Sequence, residues 1–97
     1  MGKIELIVTR HQGLVEYLKE IGLADELTEV ISHVENPEIL TGKHVCGVLP
    51  HHLSCLCEVF TEVPLIGMPA ELRGKELDLG QVRQYAGELV HYKIRKL

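Results

Sequence analysis

Apolar and polar residues alternate over residues 3–9, with Ile4, Leu6 and Val8 on one face and Ile7 on the other, which predicts a first, central strand. After Thr9-Arg10-His11-Gln12-Gly13 the period changes to Leu14, Tyr17, Leu18 and Ile21. That is the spacing of an amphipathic helix, and Gly22 is a suitable residue to end it. Strand formers over residues 28–34 predict a second strand. Asn36 then caps a single helical turn over 37–40, and Thr41-Gly42 leads into a buried strand over 43–48. Pro50 fits the first turn of a helix running to about residue 60, with Leu53, Leu56, Val59 and Phe60 as its core stripe. Residues 62–68 predict a fourth strand, which Pro64 restricts to an edge or to its first positions. A polar loop over 69–77 precedes a helix from 79 to about 88, capped by Asp78, and a last strand over 89–94.

The order β-α-β-β-α-β-α-β implies a single α/β domain, with a mainly parallel sheet and helices on its faces. With 97 residues and 45% hydrophobic content, the chain can bury about two-thirds of its unfolded surface in one core. It contains no apolar run of the roughly 20 residues that span a bilayer, and its start carries no apolar signal region, so a cytoplasmic protein with no membrane contact is expected. The net charge of −4 has the wrong sign for binding DNA or long RNA through bulk electrostatics. A small anion met by a few local Arg, His and backbone N–H groups remains compatible with it.

Three polar clusters fall on predicted loops: Thr9-Arg10-His11, His51-His52 and Arg73-Gly74-Lys75-Glu76. The first two follow strands one and three, which flank the switch point of a doubly wound sheet, so these clusters are expected to converge on a ligand. Arginine and lysine bind phosphate, threonine can bond a phosphate oxygen, and histidine transfers protons near neutral pH. The competing reading of each is solvated surface. Cys46, Cys55 and Cys57 read as reduced thiols. Together with His44 and His51 they also form the one zinc candidate, but Cys55 and Cys57 point to different faces of the predicted helix and no C-x-x-C pair is present. No metal and no cofactor is therefore expected. Phosphate-loop, dinucleotide and serine-hydrolase motifs are absent.

Read together, V-T-R-H-Q-G (8–13), G-V-L-P-H-H-L (47–53) and R-G-K-E-L (73–77) carry a resemblance. The chain resembles, over nearly its whole length, the small accessory proteins of type III CRISPR systems that form the sixteenth of the Csx series. The resemblance implies a Rossmann-like fold related to CARF domains, and a homodimer. It also implies ring nuclease activity that linearises cyclic tetra-adenylate and so switches off the antiviral signal. The positions that match the family's motifs are Thr9, Arg10, His11 and Gly13, then Leu49, Pro50 and His52, then Arg73, Gly74 and Glu76. His51 stands where the motif varies. On this reading His52 or His11 transfers protons, Arg10 and Arg73 stabilise the phosphate, and the remaining matched residues with Lys75 bind the ligand. A non-catalytic cyclic-oligoadenylate binder and a regulatory partner of a CRISPR effector are the alternatives.

Overall fold

Three apolar residues in a row, Leu6, Ile7 and Val8, are all buried, and a strand with two buried faces belongs in the middle of a sheet. In the computed structural model, which describes residues 2–97, β1 (Leu6–Val8) lies there. It runs parallel to β2 (Glu29–Ile31) on one side and to β3 (His44–Gly47) on the other. β4 (Val59–Glu62) continues parallel beside β3, and β5 (Val90–Tyr92) closes the order β2-β1-β3-β4-β5 antiparallel to β4. The sheet is therefore mixed rather than mainly parallel. Its antiparallel pairing is set by the connection through α3 (Leu79–Tyr85), which returns the chain beside the end of β4, with Phe60 facing Tyr92 and Glu62 facing Val90.

Helices and turns cover both faces. α1 (Gln12–Glu20) packs on α3, and together they cover the core built from Ile4, Ile7, Val15, Leu18 and Cys46. The opposite face carries Leu6, Val8, Val45 and Phe60, covered by the 3₁₀ turn Pro37–Leu40 and by α2 (His51–Ser54). Predicted caps are present. The Asn36 side chain accepts a hydrogen bond from the Glu38 N–H, and Asp78 forms a reciprocal capping box with Gln81. Gly22 turns the chain out of α1 at φ +83°.

The central part of the chain departs from expectation. The helix predicted over 50–60 is one turn, and the strand predicted over 62–68 lies earlier, at Val59–Glu62. Val59, Phe60 and Thr61 are β-branched or aromatic, and the Glu58 N–H already donates to the Lys43 carbonyl at 2.9 Å, so pairing with β3 wins over continuing the helix. Leu56, assigned to the core stripe, is 37% exposed. Beyond β4, Pro64 interrupts the pattern, and Leu65 makes only an isolated bridge to Ala86.

β3, β4 and β5 share a polar link that is buried at His44 and Thr61. His44 Nε2 lies 2.6 Å from Thr61 Oγ1, and the same oxygen lies 2.7 Å from His91 Nδ1. The hydroxyl carries one proton, so at least one imidazole nitrogen donates to it. Burial holds the His44 imidazole below its ordinary value of 6.5. A group that folding keeps neutral in this way contributes stability above pH 6.5 and loses it as pH falls through the lowered folded-state value. Glu20, held below its ordinary 4.5 by Arg83, and Asp25, held below 3.8 by Lys3, lose their contributions only at more acid pH. Melting temperature is therefore expected to begin falling between pH 7 and 5, and His44→Gln is expected to remove that first phase. A wild-type melting temperature unchanged down to pH 4.5 would overturn this assignment.

Candidate functional site

Connections leave β1 and β3 toward opposite edges of the sheet, because β2 follows β1 on one side and β4 follows β3 on the other. In open α/β sheets that divergence opens a crevice at the carboxyl ends of the two strands. At the β1 end the Thr9 N–H donates to the Ile31 carbonyl at 2.9 Å, and Thr9 Oγ1 accepts the His11 N–H at 3.0 Å. This hydroxyl turns the chain into α1. At the β3 end Gly47 has φ +149°, and any Cβ there would fall on the Val8 carbonyl oxygen, so only glycine lets the two strand ends close up.

The first and third motifs meet here. His11 Nδ1 accepts the backbone N–H of Leu77 at 3.0 Å. A nitrogen that accepts this bond carries no proton, so the neutral ring holds its proton on Nε2. Gly13 makes the same junction from the helix side. It is buried in the first turn of α1, where an added Cβ would collide with the Leu77 and Asp78 backbone. Thr9, His11, Leu14, Val48, Leu65 and Leu77 line a cavity of about 100 Å³, polar at Thr9 and His11 and otherwise apolar.

Arg10 is exposed at the rim of α1, as are Arg73, Gly74, Lys75 and Glu76 in the turn that Gly74 makes at φ +80°. Glu76 lies in an acidic groove with Glu16 and Asp78, outside the small cavity. Leu49 packs on the Leu6 and Val45 face of the core, and Pro50 precedes α2 with φ −65°. His51 and His52 line a separate groove with Ile94, Arg95 and Lys96. The expected convergence of the first two histidine clusters is thus replaced by convergence of residues 9–13 with Leu77, because α2 lies over the opposite face of the sheet.

Sequence reasoning assigns no functional role to Gly47, Leu77, Arg95 or Lys96. Gly47 carries a signal, a glycine at the end of a predicted buried strand. Leu77 acts through its backbone, which no side-chain pattern reveals. Burial pushes the Cys46 thiol up to about 12 and, with Cys55 adding to it, the Cys57 thiol up to about 11, so neither is built as a nucleophile. All three cysteines are free. Among the described residues no three His, Cys, Asp or Glu side chains converge as metal ligands would, and the zinc candidates are dispersed between β3 and α2.

Two substitutions test this junction. His11→Ala strands the N–H of Leu77, a residue only 2% exposed, and is expected to lower stability by about 1–3 kcal/mol, whereas His11→Asn keeps an acceptor and most of the loss is recovered. Gly13→Ala removes a helical glycine, which alone would add about 1 kcal/mol, but the clash is with backbone, and a net loss of about 1–3 kcal/mol is expected. Urea unfolding at constant slope measures both. Equal midpoints for His11→Ala and His11→Asn would show that the hydrogen bond to Leu77 contributes nothing.

No curated protein and no solved structure gives a significant match. No helix among the described residues is long and apolar enough to cross a membrane. Residues 6–95 match a family described as "Putative CRISPR-associated protein (Cas_VVA1548)", a span that takes in the crevice, the His11–Leu77 junction and the α2 groove. The chain, a small α/β protein, belongs to that CRISPR-associated family.

Proposed function

We propose that this protein is a ring nuclease that binds cyclic tetra-adenylate over the β1/β3 crevice and linearises it, ending the antiviral signal of a type III CRISPR system. The observation that carries the reading is the His11–Leu77 hydrogen bond, which ties the two most polar motif segments to a strand-end crevice of the kind that binds nucleotides. Membership in a CRISPR-associated family supports it. At about 100 Å³ the cavity is well below the roughly 300–1,000 Å³ of a complete small-molecule site, so it would take one base or sugar while the ring lies across its mouth.

The reaction is a transfer within the ligand and needs no metal or cofactor. A ribose 2′-OH loses its proton and attacks the adjacent phosphorus. The bond to the 5′ oxygen then breaks, leaving a 2′,3′-cyclic phosphate and a 5′-OH that takes up a proton. Holding the sugar and phosphate in line supplies much of the acceleration. Arg10 and Arg73 are exposed and have no carboxylate partner among the described residues, which frees both to stabilise charge on the phosphorane. His11, protonated on Nε2, serves as a hydrogen-bond donor to the phosphate or the leaving oxygen. His52 stands in the separate groove beside α2, so in this reading the ring runs on from the crevice past the strand ends and meets His52 there for proton transfer. A homodimer would present each loop twice to a ligand with two-fold symmetry.

One observation favours a second reading, a binder that sequesters the ring uncut. The acceptor nitrogen of His11 is already engaged by Leu77, so it is not free to act as a base. Incubation with labelled cyclic tetra-adenylate in EDTA separates the two. Linear product ending in a 2′,3′-cyclic phosphate is expected, with single-turnover cleavage by His52→Ala slower by about 10²- to 10⁴-fold. A ring recovered intact but shielded from a second nuclease would favour sequestration. A ring neither bound nor cut would overturn both readings, and dependence on added Mg²⁺ or Mn²⁺ would overturn the metal-free mechanism.

A further inference from the structure

Of the ten Lys and Arg residues, Lys3, Lys19, Arg83 and Lys93 have carboxylate partners, and Arg10, Lys43, Arg73, Lys75, Arg95 and Lys96 have none among the described residues. Two of the unpaired six, Arg95 and Lys96, fall in one depression. It measures about 280 Å³ and is lined by His51, His52, Cys55, Ile94, Arg95 and Lys96, with no Asp or Glu, in a chain whose net charge is −4.

The segment carrying the two cations is anchored just ahead of them. Lys93 Nζ lies 3.2 Å from Glu58 Oε2, and Ile94, next in the chain, packs with Leu53 on the core formed by Leu6, Val45 and Phe60. The backbone is thereby held across α2, so Arg95 and Lys96 stand over His51 and His52 rather than trailing from the end of β5. Four side chains able to carry positive charge, with no counter-ion supplied by the protein, make a place for an anion that comes from outside. Arginine's planar fork matches two phosphate oxygens at once, and lysine and histidine add single charge-assisted donors.

We propose that this groove is a phosphate-binding site, in which Arg95 and Lys96 grip a phosphodiester of the oligonucleotide and set it against His52. The identity of that oligonucleotide rests on the ring-nuclease reading above; the preference for phosphate rests on the groove alone. Arg95 and Lys96 are positioning residues here. They bind the non-bridging oxygens and transfer no proton.

Pyrophosphate is the probe that tests the groove by itself, in an amide NMR titration of the full chain. The amide signals of Cys55, Ile94, Arg95 and Lys96 are expected to shift together and saturably. Arg95→Ala with Lys96→Ala is expected to weaken binding by about tenfold for each charge-assisted hydrogen bond removed, and the exchanged pair Arg95→Lys with Lys96→Arg to restore most of it. Shifts absent from the groove, or spread evenly over the other lysines, would overturn the site. With labelled cyclic tetra-adenylate the Ala pair is expected to raise KM while leaving the single-turnover rate at saturation within a few-fold of wild type. Cleavage with unchanged KM would overturn the placement of the ligand's phosphate in this groove while the ring-nuclease reading stands. Saturable pyrophosphate binding by a chain that neither binds nor cuts the ring would sink that reading and leave the phosphate site in place.

Discussion

Parallel pairing of β1 between β2 and β3 is the constraint on which the remaining structure depends. Leu6, Ile7 and Val8 can be dry on both faces only if a strand lies on each side and a covering layer above and below, and β2, β3 and the helical elements meet those requirements while β4 and β5 extend the sheet beyond β3. α1 and α3 supply one layer, while the turn over Pro37–Leu40 and the single turn of α2 supply the other. The crevice at the strand ends follows from the same pairing, because β1 must send its chain toward β2 while β3 sends its own toward β4.

The geometry of the crevice is therefore a by-product of close backbone approach. Two glycines make the approach: Gly47 brings the end of β3 against the Val8 carbonyl, and Gly13 brings α1 against the Leu77–Asp78 backbone. At the same junction the His11 ring satisfies the Leu77 amide. Polar groups enclosed in this way need partners, and the partner chosen fixes the imidazole tautomer before any ligand arrives.

Much of this could be read from the chain, and the misses share a cause. Period and caps located β1, α1, the Asn36 turn and the Asp78 capping box, because each is decided by residues close in sequence. The segment after Pro50 failed because Leu53, Leu56, Val59 and Phe60 fit a helical stripe equally well. A non-local hydrogen bond from Glu58 to Lys43 decided the matter for strand. The site shows the same dependence on non-local packing. Strand order alone puts His51 and His52 near the β1 end, whereas α2 lies over the other face, beside Arg95 and Lys96.

The cysteines turn this division of the molecule into a chemical one. Oxidants and alkylating reagents attack thiolate, and burial keeps Cys46, in the middle of β3, and Cys57, beneath it on the other face, in the protonated form. Cys55 is only half-buried and stands on the wall of the cationic groove. Oxidative damage to the folded chain is thereby directed to Cys55 first, on the surface beside His52. The two core thiols become vulnerable only when the sheet itself opens.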